Sequence, residues 1–104
     1  MSYRIEYSPA ALRDMDRVWD EVYEALKEVE VATRYIDELM DQIEEKREFL
    51  KSLYYDERFT GYYFVVFKAY IAFYHVKEDR MLVDRVLYGK SDYMRTLFRK
   101  SSWF

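Results

Sequence analysis

The amino-acid sequence predicts an α+β domain in which two helices pack on one face of a mainly antiparallel, four-stranded sheet. In the first half, apolar residues recur at spacings of three and four, which is typical of amphipathic helices. In the second half, short runs rich in β-branched and aromatic residues predict strands. Helices and strands grouped in this way favour an α+β fold in the order β-α-α-β-β-β-(α).

The chain opens with a short predicted strand and a long predicted helix. Residues 3–7 alternate between apolar and polar side chains, as in a half-buried strand. Ser8 is a favourable N-cap, and Pro9 suits the first helical position because its missing N–H has no partner there. We expect a helix of about five turns from Pro9. Its predicted core stripe contains Leu12, Met15, Trp19, Val22 and Leu26.

A second amphipathic helix is predicted after the link at residues 27–30. The apolar spacing restarts at Ala32 and continues to Leu50, and the prediction extends the helix to Leu53. The link contains neither glycine nor proline, so one continuous bent helix is an alternative interpretation.

The remaining elements are predicted in the C-terminal half. Residues 54–61 break both periodicities and are interpreted as the loop from the helices to the sheet. Residues 77–80 form the polar turn of a hairpin, Gly89 ends the last strand, and Ser91 and Asp92 can cap a short helix through Arg99. The three strands are placed at 62–67, 69–76 and 81–88.

Length and composition predict one domain over residues 1–104. A chain of this size buries roughly two thirds of its unfolded surface, and two glycines and one proline leave little sequence for linkers. Without cysteine, disulfides and thiolate zinc sites are excluded. The sequence has no apolar run near the ~20 residues that span a bilayer and no signal-peptide pattern at its start. We therefore expect a cytoplasmic protein without a membrane partner.

Charge is unevenly distributed along the chain. Residues 1–50 contain 7 basic and 14 acidic side chains, whereas residues 51–104 contain 10 basic and 6 acidic ones. This predicts an acidic helical surface and a mildly basic surface on the second half. The pI of about 5.2 argues against tight nucleic-acid binding.

Common catalytic and cofactor motifs are missing. His75 is the single histidine and is interpreted as an ordinary strand residue, so we predict no metal centre. Gly61 and Gly89 cannot build a glycine-rich phosphate loop, and no Gly-x-Ser-x-Gly motif is present. Carboxylate pairs such as Asp14 and Asp16 are assigned to a solvated helix face. We expect no cofactor.

Several segments resemble one known family. Residues 69–76 are similar to the strand Asn-Tyr-x-Ile-x-Tyr-x-Val, and residues 85–93 to Arg-Val-Leu-His/Tyr-Gly-Arg-Arg-Asp, of the RelE/ParE superfamily of bacterial toxins. Residues 3–14 and 31–39 resemble the family's opening and its second helix. The resemblance implies the same order of elements, a role in a plasmid-stabilising toxin–antitoxin module, and an antitoxin as partner.

The resemblance leaves the mode of action open between two branches. RelE-type members cut messenger RNA in the ribosome with arginines, lysines and a tyrosine, which stabilise the charged phosphate. At the matching positions this chain has Ile71, Ser91, Tyr62, Phe64 and Leu97, so we do not expect the usual RelE-type ribonuclease.

ParE-like members lack that set and poison DNA gyrase without being enzymes, and residues 85–93 are closest to their motif. Lys90, Ser91 and Tyr63 stand where that branch has arginines. We predict a ParE-like toxin that binds a target such as gyrase. The alternatives are a ribosome-dependent ribonuclease with a rearranged basic site and a non-toxic, antitoxin-binding homologue.

The candidate contact residues for target or antitoxin lie in the second half, on a surface that is also rich in tyrosine. Arg85 is expected to share a strand face with Val83 and Leu87 by period two. The aromatic C-terminus is expected to dock on the sheet or on a partner. The candidates are Arg58, Lys68, Arg85, Lys90, Tyr93, Arg95, Trp103 and Phe104.

Overall fold

The computed structural model describes residues 3–98, which form a five-stranded sheet with helices on both faces. The sheet order is β1-β5-β4-β3-β2, with β1 parallel to β5 and the other neighbours antiparallel. The predicted α+β architecture is confirmed, but the sheet has five strands instead of four. The elements are β1 (Arg4–Tyr7), α1 (Pro9–Leu26), α2 (Val29–Glu45), β2 (Ser52–Tyr55), β3 (Arg58–Phe67), β4 (Tyr70–Lys77), β5 (Arg80–Tyr88) and α3 (Tyr93–Leu97).

The fifth strand arises where a loop was predicted at residues 54–61. Tyr54 pairs with Phe59, and the hairpin turns at Asp56 and Glu57, whose φ angles are 52° and 64°. Two successive left-handed residues are what a two-residue hairpin of type I′ requires. The prediction failed because neither position carries the glycine or asparagine that usually marks such a turn.

The two long helices are separate, and both begin close to their predicted starts. The Ser8 side chain accepts a hydrogen bond from the Ala11 N–H at 2.9 Å, which caps α1 as predicted. Lys27 ends α1 in the left-handed conformation, with φ of 57°, so the continuous bent helix is wrong. The second helix ends at Glu45 and not at Leu53, because the chain must change direction to enter β2.

The core between α1, α2 and the sheet is only partly the one predicted. Leu12 and Leu26 were assigned to the core but are 49% and 56% exposed. The buried stripe is rotated around the helix axis, so that Asp14 also faces inward. The buried apolar residues of α1 are Ala11, Met15, Val18 and Val22.

The third helix, α3, packs on the opposite face of the sheet. Side chains alternate along a strand, so β4 directs Ala72 and Tyr74 into the core under α1 and α2 and directs Phe73 to the other side. The predicted continuation of this helix through Arg99 falls outside the described residues. The second core is formed by Phe73, Leu87 and Leu97.

Side chains from the start of α1 complete the edge of β5 where β1 ends. The pairing of β1 with β5 stops at Tyr7 and Val83. Beyond it, the Ser8 hydroxyl donates to the Asp84 carbonyl at 2.7 Å. The Asp14 carboxylate accepts the Val86 N–H at 2.9 Å. Backbone groups that would otherwise be buried without partners are therefore satisfied.

Asp14 also binds Arg85 through two hydrogen bonds, from Nε at 2.7 Å and from Nη2 at 2.9 Å. The Asp14 side chain is 2% exposed, so its assignment to a solvated face is wrong. Hydrogen bonding to this carboxylate raises the pKa of Arg85.

An extra residue at Asp84 shifts the register of β5, which places Val83 in the core under α1 and α2 and Leu87 in the other core. The shared face predicted for these two residues is therefore wrong.

We predict that Asp14→Ala lowers the free energy of unfolding by about 3 kcal/mol, because it leaves the Arg85 guanidinium and the Val86 N–H without their acceptor. Urea denaturation followed by circular dichroism measures this loss. The matched control is Asp16→Ala, an exposed residue of the same helix, for which a change within about 0.5 kcal/mol is expected. Equal unfolding midpoints for the two variants would contradict the prediction.

Candidate functional site

Two predicted contact residues, Lys68 and Lys90, lie at one end of the sheet, where the β3–β4 turn meets the end of β5. Tyr70 pairs with Tyr88, and the Gly89 N–H donates to the Ala69 carbonyl at 2.8 Å. A Cβ atom on Gly89 would lie 3.3 Å from that carbonyl oxygen, so a side chain there would crowd this contact. Two further predicted residues, Tyr93 and Arg95, follow on α3.

Lys68 connects this end of the sheet to α2. It occupies the β3–β4 turn with φ of 52°, and its Nζ lies 3.6 Å from the Glu38 carboxylate. The same Nζ lies 5.0 Å from the centre of the Tyr35 ring and 5.2 Å from that of Phe67. These contacts hold the ammonium group against the protein.

The connection from β5 to α3 presents two cations next to an anchored aromatic ring. Tyr93 packs against Phe73 with ring centres 5.0 Å apart, which fixes α3 on the sheet. Lys90 is exposed before it. Arg95 is exposed after it, with Nε 3.5 Å from the Asp92 carboxylate. We call residues 90–95 the basic segment.

The other predicted contact residues do not join the basic segment. Arg58 is exposed at the β2–β3 hairpin, at the opposite end of β3 from Lys68. A strand of ten residues separates these two ends by about 30 Å. Arg85 is held by Asp14 and is only 21% exposed. Trp103 and Phe104 lie outside the described residues.

Sequence reasoning missed a histidine–carboxylate pair on the sheet face that carries α3. His75 Nδ1 lies 2.6 Å from Asp84 Oδ2, with the carboxylate almost fully buried and the imidazole 36% exposed. The pairing of β4 with β5 could have indicated this contact. Leu82 lies opposite His75, which makes Asp84 the diagonal neighbour of His75 on the adjacent strand. His75 lies in a strand as predicted, but with a buried acidic partner.

Tyr62 borders this pair. Its hydroxyl donates to the Leu97 carbonyl at 3.3 Å. Burial, and then the negative charge of Asp84, raise the pKa of Tyr62, so this phenol remains protonated at neutral pH. A carboxylate that fixes one nitrogen of an imidazole can prepare the other nitrogen for proton transfer.

Two site types are not found within residues 3–98. This part of the chain has no group of three or more histidine, aspartate or glutamate side chains arranged to hold a metal ion. It also has no helix that is both long and apolar enough to cross a membrane.

Comparison with known proteins identifies relatives by sequence and by fold. The sequence model for the family described as "ParE toxin of type II toxin-antitoxin system, parDE" matches residues 5–93. No curated protein matches the chain significantly.

Two solved structures have a similar fold. A chain of the chromosomal ParDE toxin–antitoxin system from P. aeruginosa superposes with a TM-score of 0.69 and 15% identity, over 84% of this chain and 96% of that one. A chain of the toxin–antitoxin complex RelBE2 from Mycobacterium tuberculosis gives a TM-score of 0.56 and 12% identity, over 85% of this chain and 99% of that one. At these identities the likeness concerns the fold alone. The family match extends over most of the sequence, from the first strand to the start of α3, and the chain therefore belongs to the ParE toxin family of type II toxin–antitoxin systems.

Proposed function

We propose that this chain is the toxin of a plasmid-stabilising module, that it acts by binding DNA gyrase, and that a cognate antitoxin neutralises it. Membership of the ParE toxin family supports this activity. The two solved structures of similar fold come from toxin–antitoxin systems, which supports an antitoxin as partner.

The observation that carries the proposal is that Arg85 is engaged within the protein by Asp14. This arginine opens the motif at residues 85–93, but its guanidinium is bound to the buried Asp14 carboxylate. Two of its three nitrogens are engaged by that carboxylate, which disfavours a role for Arg85 in stabilising a reacting phosphate. The exposed cations nearby are Lys90 and Arg95, on either side of Tyr93, and Arg95 also lies 3.5 Å from the exposed Asp92 carboxylate. Exposed cations beside a fixed aromatic ring suit recognition of an acidic surface.

We predict that the wild-type chain traps gyrase on supercoiled plasmid, so that linear DNA appears after detergent and protease treatment. The double variant Lys90→Ala/Arg95→Ala should need about tenfold more protein for the same cleavage, which corresponds to about 1.4 kcal/mol. Lys77→Ala, an exposed lysine at the opposite end of the sheet, is the matched control and should behave as wild type.

The results of this assay test the gyrase target and the contact residues separately. If the wild-type chain yields no linear DNA, the gyrase target is wrong. If the double variant and wild type are equally active, gyrase binds elsewhere on the chain. Normal thymidine and methionine incorporation during expression of the chain alone would instead favour a non-toxic, antitoxin-binding homologue.

A second candidate function, ribosome-dependent cleavage of messenger RNA, is favoured by the pair formed by His75 and Asp84. Cleavage through the 2′-hydroxyl of RNA needs a group that removes a proton, and an imidazole oriented by a carboxylate can do this. Lys77 follows His75 by two residues on the same strand and shares its face by period two.

If the chain cleaves RNA, we predict that His75→Asn lowers the cleavage rate by about 10²–10⁴-fold, since the amide can still bind Asp84 but cannot transfer a proton. Primer extension on messenger RNA from a reconstituted translation reaction measures the rate. The urea midpoint of the variant should stay close to that of wild type. Intact messenger RNA with the wild-type chain, or undiminished cleavage by His75→Asn, would exclude this mechanism.

A further inference from the structure

Strand β1 forms one edge of the sheet. Its neighbour on one side is β5, and within residues 3–98 no strand pairs with it on the other. The Arg4 N–H donates to the Asp79 carbonyl at 2.8 Å, and the Ser8 N–H donates to the Val83 carbonyl at 2.9 Å. Backbone groups alternate in direction along a strand, so the N–H and C=O of Ile5 and of the odd-numbered residues beside it face away from β5. This edge is therefore available for a further strand.

The side chains along this edge are complementary to their own reversed order. Residues 3–7 read Tyr-Arg-Ile-Glu-Tyr. When two copies are paired antiparallel about Ile5, Tyr3 of each copy lies opposite Tyr7 of the other, and Arg4 lies opposite Glu6. Aromatic pairs and opposite-charge pairs at facing positions both stabilise strand pairing. The best match for this edge in charge and shape is thus the same edge of a second copy.

The charged and the apolar side chains of β1 point to opposite faces of the sheet. Tyr3, Ile5 and Tyr7 pack against the core under α1 and α2, so Arg4 and Glu6 lie on the other face by alternation. The side chain of Arg4 is 73% exposed and that of Glu6 is 45% exposed. Because the outward backbone groups belong to the odd-numbered residues, Arg4 and Glu6 face each other as a non-hydrogen-bonded pair, the type with the closest side chains.

Both charged side chains already have one partner within the chain. Arg4 Nη2 lies 3.7 Å from the Asp79 carboxylate, and Arg80 Nη1 lies 3.1 Å from the Glu6 carboxylate. Pairing of two copies joins these contacts into one row, from Asp79 and Arg4 of one copy to Glu6 and Arg80 of the other. Charge alternates in sign along this row. Such a network stabilises more than the isolated exposed ion pairs of the monomer.

The helix side of this edge leaves space for a second copy. Two lining residues of the groove found there, Glu44 and Arg47, pair with each other at 3.2 Å, so the same pair brought close by a two-fold axis adds no net charge. Pairing also removes from water the apolar surface that the tyrosines and Ile5 still expose. The groove has a volume of about 580 Å³ and is lined by Tyr3, Arg4, Ile5, Tyr7, Met40, Glu44 and Arg47.

We propose that two copies of this chain associate through β1, so that their five-stranded sheets form one continuous sheet across a two-fold axis. The backbone groups of Ile5 bond to those of Ile5 in the other copy, and those of Tyr3 bond to those of Tyr7, which gives about six hydrogen bonds. Because both copies use the same strand, the contact is complete in a dimer and does not continue into a filament. This inference does not depend on the target proposed above.

Sedimentation equilibrium of the full-length chain at increasing concentration tests the association. We expect the average mass to rise from 12.9 kDa towards twice that value. Arg4→Glu and Glu6→Arg, made separately, each place like charges opposite one another in both halves of the dimer, so each should raise the dissociation constant at least about tenfold. Both side chains are exposed, and the urea midpoints should stay close to that of wild type.

An equimolar mixture of the two variants provides the sharper test. In a dimer that contains one copy of each, every facing pair again consists of one carboxylate and one guanidinium. We expect this mixture to associate at least about tenfold more tightly than either variant alone. Arg58→Glu is the matched control, since it makes the same charge change at the β2–β3 hairpin, near the opposite edge of the sheet. It should associate as wild type does.

The Ile5 amide hydrogen gives a readout that needs no substitution. It faces away from β5, so in the monomer it should exchange readily with solvent. At concentrations where the dimer predominates, its exchange should be at least about tenfold slower. The Arg4 amide, which already bonds to the Asp79 carbonyl within the chain, is the internal control and should change less.

Four results would each overturn the inference. These are a monomer at every concentration, a dimer that neither variant weakens, no association of the mixture when both variants keep the wild-type urea midpoint, and an exchange rate at Ile5 that is independent of concentration. The gyrase assay is separate from all four, because Lys90 and Arg95 lie outside β1. Failure of either proposal therefore leaves the other intact.

Discussion

The Asp14 carboxylate is the interaction on which the arrangement of α1 and β5 depends. It accepts two hydrogen bonds from Arg85 and one from the Val86 N–H, all at 2.9 Å or less. Because β1 stops at Tyr7, this carboxylate and the Ser8 hydroxyl complete the edge of β5. A carboxylate buried with all these donors is stabilising only while every partner is present. The helix and the strand are thereby fixed in one register.

Because Asp14 binds Arg85, the motif at residues 85–93 has a structural part and an exposed part. Its first residue, Arg85, braces the fold, and Val86 and Leu87 are buried in the two cores, whereas Tyr88 and residues 90–92 are exposed. Tyr93 anchors that surface on Phe73, and the Gly89 N–H fixes the end of β5 to the β3–β4 turn. Charged groups on such rigid supports lose little conformational entropy on binding, which suits the proposed action by binding a target.

The basic segment and the pair of His75 and Asp84 are chemically distinct surfaces of the chain. The basic segment presents cations beside an aromatic ring, and His75 with Asp84 presents an oriented imidazole. The surfaces use separate residues, so each can be altered without removing the others.

The sequence by itself determined the elements that depend on neighbouring residues. Apolar spacing located both long helices, Ser8 and Pro9 set the start of α1, and β-rich runs located β4 and β5, since these signals act within a few residues. Tertiary structure alone decided the hairpin at Asp56, the burial of Asp14 and the pairing of His75 with Asp84. Each depends on which group lies opposite in space: a bidentate guanidinium makes burial of a carboxylate favourable, and a shift of register decides which side chains meet. Local sequence patterns do not contain that information.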